Sequence, residues 1–566
     1  MAKKSEQLIQ PGMLKTAFAE QEKKAQSSKL VSRILNRDAS VFGKKGKAVT
    51  DKILNRLGWI DVVRTMSNQL PQIERLVAHV KDSGFKHVVV MGMGGSSLCP
   101  EVFGKVFGKQ PWLQSYTIID TTAPKHIEQV LANSELTETF FIVASKSGST
   151  IETMSQFRFF FRLLKDKRPL KTGNYFAAIT DEYSELHRMA RRNRFVETFC
   201  NPEDIGGRYS ALSFFGLVPG AFTKMSPERL LSEATAFLAD MEENPLDNDA
   251  LALGTIMGVA TLKGVDKLRF VASKKAAAFI PWIEQLVAES TGKEGKGIIP
   301  IEGDESGAEA NRGKDTLFVY YTMNDALPAG VKRSSSAPYV SINIANTHDL
   351  GAEMLKWEMA TAVASAIMKV NPFDEPNVTE SKENTSKLLV GPRGPRKVVV
   401  PEPLCQFENA SIMSIEGVNG VSANKSVTAD EVVSQFLTNV KPTDYLAFLS
   451  YTEMTPQVEK QIAELRKIVS LKYGLTCLRG YGPRYLHSIG QLYKGGAQKG
   501  HFIFFEQEFE TDYEVPMMRI TFDRLIKAQA KGDMQALRKR KRPLMSVSLG
   551  SDPASGIRNF INLIAK

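Results

Sequence analysis

Residues 139–153 read TFFIVASKSGSTIET. The opening TFFIV is β-branched and aromatic, the composition of a strand buried on both faces. After it, TMSQFRFFFRLL has helical rhythm. Strand, polar tip and helix together make half of a βαβ unit, so this stretch predicts an α/β fold. The tip carries hydroxyls at Ser145, Ser147, Ser149, Thr150 and Thr153. Gly148 gives backbone amides room, and Lys146 is the only cation. No G-x-x-x-x-G-K-[ST] occurs anywhere in the chain, which excludes an ordinary nucleotide P-loop. Helix capping needs only one or two such hydroxyls. The surplus predicts a cage for a many-oxygened anion such as a phosphate monoester.

The same rhythm recurs on both sides. KHVVVMGM, YTIID, YFAAIT and FVETFC read as further strands, each followed by a helical stretch. A second series runs LRFVAS, GIIPIEG, DTLFVYYTM and YVSINIA, then YLAFLSY, LTCLRGYG, HFIFFEQE and PLMSVSLG. The expected architecture is two doubly wound, flavodoxin-like parallel-sheet domains. Residues 1–80 form a helical lead-in, 81–225 the first domain, 226–264 a helical connector and 265–566 the second domain. The stretch GPRGPRKVVVPEP (391–403) marks an insertion near 383–430.

A chain of 566 residues with 43% hydrophobic and 24% charged side chains is globular rather than disordered, and holds two or three domains. No apolar run has the length of a membrane span, and MAKKSEQLIQPG lacks a signal-peptide core. Cys99, Cys200, Cys405 and Cys477 are far apart and form no C-x-x-C pair. They predict neither structural zinc nor a disulfide framework, and fit the reducing cytoplasm. The net charge of +11 is partly local, as in RKRKR (538–542). Without interleaved aromatics that run reads as a solvated basic face, so no nucleic-acid or membrane partner is expected.

Ligands of doubly wound sheets bind beyond the carboxyl ends of the strands. Besides the opening stretch, two loops there stand out. GMGGSSLCP (92–100) offers glycines and a helix beginning near Pro100, whose amides and dipole suit an anion. Gly92, Gly94 and Asp120 invite a dinucleotide reading, but Ser97 replaces the third glycine and a lone G-x-G is a weak signal. GGRYS (206–210) presents Arg208 with little cover, either for a structural ion pair or to stabilise developing negative charge. Two anion-ready loops on neighbouring strands favour a sugar phosphate over a nucleotide.

GMGGSS, SKSGSTIET and GGRYS, in this order, resemble the sugar-isomerase (SIS) domain of the phosphoglucose isomerase family. ESTGK (289–293) is similar to that family's E-S-N-G-K, and NPFDEPNVTESK (371–382) to its N-P-F-D-Q-x-G-V-E-x-x-K. GWIDV, LGAEMLKWEMATAVA and YGPRYLHSIGQLYKGG resemble the isomerase portion of fused transaldolase–phosphoglucose isomerases. The resemblance implies interconversion of glucose 6-phosphate and fructose 6-phosphate without metal or cofactor. Moving a carbonyl between C1 and C2 needs a base and an enediolate stabiliser. The match gives these roles to Glu289 and Arg208.

Ring opening falls to Lys382, which ends the N-P-F-D motif, and to a histidine. His348 (NTHDLG) lacks the family's H-x-x-x-Q-L-x-x-x-G context, whereas His487 in HSIGQLYKGG has it. The expectation is that His487 serves from a later segment of a rearranged second domain. Ser96, Ser145, Ser147, Ser149, Thr150 and Thr153 match phosphate-binding positions. Gly95, Lys146, Glu152, Gly207 and Glu375 match substrate positions. Glu375 departs from the family's Gln, Asn377 from its Gly and Thr379 from its Glu. Three readings stay open beside the isomerase: a non-catalytic sugar-phosphate-binding regulator, a nicotinamide-dependent oxidoreductase supported only by the weak G-x-G, and a bifunctional enzyme that also isomerises mannose 6-phosphate. The family's usual homodimer is implied as well.

Overall fold

The computed structural model describes residues 5–44, 46–303, 314–331, 333, 337–389, 402–418 and 427–565, apart from the side chains of 378, 379, 381 and 382. TFFIVA becomes the fully buried strand Thr139–Ala144, and the helix after it runs Ile151–Lys167. That helix lays Phe157 and Phe160 on the sheet, where Phe160 stacks on Phe141 at 5.0 Å between ring centroids. Five parallel strands form this sheet in the order Ser115–Ile119, His87–Met91, Thr139–Ala144, Phe176–Thr180, Glu197–Cys200. Numbered along the chain, the order is 2-1-3-4-5, the flavodoxin-like winding. Its topological switch point lies between the first and third strands. GMGGSS leaves the first of these and SKSGST the third, so both anion-ready loops open at the switch point.

The strands after 265 do not share one sheet. Lys267–Ala272, Ile299–Ile301, Thr316–Met323 and Tyr339–Ile344 pair in parallel, and Glu6–Gln10 adds an antiparallel edge to Tyr339–Ile344. The lead-in, expected to be helical, thus begins with a strand. Its sequence EQLIQ alternates exposed and half-buried side chains, a period too short to register against the helices that follow. A separate six-stranded sheet is ordered Cys405–Phe407, Ala410–Glu416, Leu544–Ser548, Gly500–Glu506, Tyr445–Tyr451, Thr476–Tyr481. The chain divides accordingly into two compact units, residues 1–120 with 133–375, and 121–132 with 376–566. Each has its own apolar core. Strand–helix alternation carries no mark of which strands share a sheet, so the sequence reading merged the second and third sheets into one domain, 265–566. Of the stretch read as an insertion, Cys405–Phe407 and Ala410–Glu416 form an antiparallel hairpin on the edge of the third sheet, while 390–401 and 419–426 lie outside the described residues.

The basic run is solvated in part, with Arg538, Lys539 and Lys541 exposed, and most of its charges are paired. Arg538 pairs with Glu416, and Lys539 and Arg540 both pair with Glu380. Arg542 is buried and donates to the carbonyls of Gly496 and Ala497. The run ends the helix Phe522–Lys539, where cations complement the dipole. Among the described residues, no helix is long and apolar enough to cross a membrane.

In the first unit, the helix Leu350–Met368 is buried along almost its whole length. Its Glu358 is fully buried, and neither carboxylate oxygen has a hydrogen-bond partner among the described residues. Burial therefore pushes this carboxyl well above the usual range. The folded state holds a proton that the unfolded chain releases above about pH 4.5. Its contribution to stability is complete below that value and falls as pH rises, by up to about 1.4 kcal/mol per pH unit. Glu358→Gln removes this slope. Urea denaturation from about pH 5 to about pH 8 is expected to show the parent losing stability relative to the variant; parallel curves refute a neutral Glu358.

Candidate active site

Gly94 has φ +57° and precedes a helix that runs Gly95–Phe107, five residues ahead of the expected start at Pro100, which lies inside it. The backbone of Gly95 touches the GGRYS loop. A Cβ there would sit 1.9 Å from the carbonyl oxygen of Gly207, so only glycine permits the contact. Gly207 itself faces open space on its side-chain side. The helix Gly95–Phe107 packs on the turn Gly207–Tyr209 and on the helix Ile280–Thr291. This places Ser96, Arg208 and Glu289 on mutually packed elements.

In the SKSGST loop, Ser145 and Thr150 meet hydroxyl to hydroxyl at 3.0 Å, as do Ser147 and Ser149. Thr150 is the N-cap of the helix Ile151–Lys167, yet its side chain makes no capping bond. The first amides of that helix remain uncapped by it and suit an anion. Gly148, at φ +66°, lies against the backbone of Leu186, which holds the loop closed. Ser147 and Ser149 are exposed, Ser145 and Ser96 buried. Thr153 is fully buried with no hydrogen-bond partner for its hydroxyl among the described residues. Glu152 is buried too. Lys146 points its ammonium at Asp181, 2.7 Å away, and at the carbonyl of Glu203. Its charge is thereby cancelled locally.

Arg208 is buried, its side chain 3% exposed. Nε donates to Ser290 Oγ at 3.0 Å, and Nη2 donates to the carbonyls of Pro372 and Asp374. Nη1 lies 3.2 Å from Glu289 Oε1 and 3.3 Å from Glu375 Oε2. Glu289 sits in the last turn of the helix Ile280–Thr291 and accepts a 3.1 Å bond from Gln285, one turn earlier. Burial raises its carboxyl above the usual range; Arg208 opposes the rise and Glu375 adds to it. A carboxyl held in that state beside a fixed cation can take a proton from carbon and return it.

Lys293 donates to the carbonyl of Asn371 at 2.6 Å and to Asp374 at 2.8 Å. Burial lowers its ammonium to about 8. Ser290, Lys293 and Asp374 were not singled out from the sequence, although ESTGK and NPFD contain all three. The signal was their place in motifs of which only Glu289, Glu375 and Lys382 received roles. Asp120 is buried, accepts a hydrogen bond from Ser97, and is raised by burial to about 7. Held that way, it does not resemble the exposed acid that grips a dinucleotide ribose.

Two candidates belong to the other unit. His487 ends the turn Arg484–His487 in the second unit and is half-buried. Lys382 lies on the helix Val378–Leu389 of the same unit, but its side chain is outside the described residues. In the motif that holds His487, Gln491 and Asn377 exchange two hydrogen bonds, at 2.8 and 3.0 Å. His348 is a structural residue: its Nε2 accepts from the amide of Ser226 and its ring meets Phe107.

The family model of phosphoglucose isomerase matches residues 30–301. The probable glucose-6-phosphate isomerase of Methanococcus maripaludis is 25% identical over 395 residues, which span 60% of this chain and 86% of the relative. The glucose-6-phosphate isomerase of Campylobacter jejuni is 31% identical over 240 residues, 42% of this chain and 58% of the relative. A solved structure of a hypothetical protein from Thermus thermophilus shares the fold, with a TM-score of 0.57 at 21% identity, covering 68% of this chain and all of the other.

The Gly95 contact is testable. Gly95→Ala forces the 92–97 and 206–210 loops apart and is expected to lower stability by about 1–3 kcal/mol, read as a lower urea midpoint. An unchanged midpoint refutes the contact.

Proposed function

We propose, from the match of residues 30–301 to the family model of phosphoglucose isomerase, that the protein interconverts glucose 6-phosphate and fructose 6-phosphate through an enediolate. The observation that carries this reading is the buried Glu289, raised above the usual carboxyl range and 3.2 Å from Arg208 Nη1. Glu289 takes the C2 proton of the open-chain aldose and returns it to C1. Reversal moves it the other way. As the proton leaves, charge develops on the two oxygens of the enediolate, and the guanidinium of Arg208 stabilises it. Ser96, Ser145, Ser147, Ser149 and Thr150 hold the phosphate with hydroxyls and with the amides of the helix Ile151–Lys167. Thr153 backs that loop from the interior. Gly207, open on its side-chain side, leaves room for the sugar, and Gly95 keeps the 92–97 loop against it. Lys146 and Glu152 shape the loop rather than react.

The roles that the resemblance gives to His487 and Lys382, proton transfer during ring opening, fall on residues of the other unit. They call for a kinetic test. Fructose 6-phosphate is incubated with the protein in deuterated water without added cofactor, and label is sought at C2 of glucose 6-phosphate. The parent is expected to exchange. Glu289→Gln is expected to lose about 10²–10⁴-fold. His487→Ala is expected to slow turnover of the cyclic substrate, and equal rates remove its role. No exchange by the folded parent removes the isomerase reading. A homodimer, supported by the resemblance, predicts twice the chain mass of 62.7 kDa in sedimentation equilibrium. A monomer at that mass overturns it.

A further inference from the structure

Resting on Glu289 as the base, the geometry points to a second carboxylate, Glu375, as a positioning residue that shares Arg208 Nη1 with Glu289 and sets the pH range in which Glu289 accepts a proton. The family motif has Gln at this position. In this chain the substitution places a negative charge 3.3 Å from the same nitrogen that Glu289 Oε1 approaches to 3.2 Å.

The charges around Glu289 explain what that does. Arg208 stands beside it, and Lys293, beyond the end of its own helix, also favours its charged form. Two cations close to a carboxylate make it a stronger acid and therefore a weaker base. Asp374 is paired with Lys293, 2.8 Å from its ammonium. The remaining neighbours add no charge. Tyr209 is raised by burial and stays a phenol. On the two helices packed against that of Glu289, burial raises Glu358 and Cys99 well above their ordinary values, which keeps both neutral. The other charges on those helices close on themselves, Lys356 with Glu353 and Lys105 with Glu101. Glu375 is thus the group that offsets the positive excess, and it is among the causes that raise Glu289.

Its placement also fits a modulator rather than a base. The side chain of Glu375 is 46% exposed and that of Glu289 11%. A hydrated carboxylate is screened by salt, so its influence is tunable. The backbone next to it is held independently, since Arg208 Nη2 bonds the carbonyls of Pro372 and Asp374. Losing the Glu375 charge therefore leaves Arg208 in place.

The test compares the parent, Glu375→Gln and Glu375→Asp by the pH dependence of kcat/KM for fructose 6-phosphate. Glu375→Gln is expected to move the acid limb down by about half to one pH unit and to lower the plateau severalfold, as a weaker base requires. Glu375→Asp is expected to recover part of the shift, and high salt to move the parent's limb toward that of the Glu375→Gln variant. A loss of thermal stability with an unmoved limb shows a merely structural role and overturns the proposal. A readout independent of turnover is the difference infrared titration of the Glu289 carboxyl, parent minus Glu289→Gln, with and without Glu375→Gln. A midpoint that does not fall when Glu375→Gln is present also overturns it. If Glu289→Gln retains full exchange, it is the assignment of the base that fails. If that variant is inactive and only the limb stays put, this inference alone fails.

Discussion

The guanidinium of Arg208 is out of water, and a buried cation is tolerated only when nearly every donor meets an acceptor. Its acceptors come from two distant segments, 289–290 and 372–375. Two of them are main-chain carbonyls, so what matters in the second segment is backbone shape. NPFD supplies that shape. The side chain of Asn371 accepts from the amide of Phe373, a turn that aims the following carbonyls inward. Phe373 anchors the turn between Phe42 and Tyr209, and Trp59 packs on Tyr209 from the other direction. Lys293 ties the same turn to the end of the helix that carries Glu289. One desolvated charge thereby makes the helix end, the 207–209 turn and the 371–375 turn depend on each other.

Much of the fold was legible because buried parallel strands write themselves as apolar runs. The strands read from KHVVVMGM through FVETFC each appear, and their winding puts the two hydroxyl- and glycine-rich loops at the switch point. What could not be read is association. Strands of 267–344 and 405–548 share the same rhythm, and only pairing tells that they belong to separate sheets. Likewise, Glu6–Gln10 is a strand because Tyr339–Ile344 offers it an edge, a condition no local pattern contains. Arg542 is the mirror case: its composition says surface, but the carbonyls of Gly496 and Ala497 make burial tolerable.

The site divides the same way. Arg208 and Glu289 lie far apart in sequence and were named through motifs, not through any spacing that foretells a 3.2 Å approach. Ser290 and Lys293 sit within those motifs, yet their partners, Nε of Arg208 and the carbonyl of Asn371, become visible only in three dimensions. Lys146 shows how a partner invisible in the sequence enters a site. Its position beside the hydroxyl cage suggests a substrate contact, whereas Asp181 lies close enough to claim it.

The pairing of Lys146 with Asp181 has a consequence for the chemistry. If the hydroxyl loop holds a phosphate as proposed, a full cation beside it would attract it, but the potential of a charge falls only as the inverse of distance and would extend to Glu289, lowering its basicity. Hydroxyls and helix amides attract the same anion through dipoles, whose field dies away faster. On the proposed reading, cancelling Lys146 and leaving the hydroxyls confines the attraction to the tail of the ligand. At the other end full charges meet: Arg208, Lys293 and Glu289 are buried, and Asp374 and Glu375 face them from a half-exposed turn. Affinity drawn from dipoles and reactivity drawn from charges are two independent settings, and a substitution in one loop can alter the first without disturbing the second.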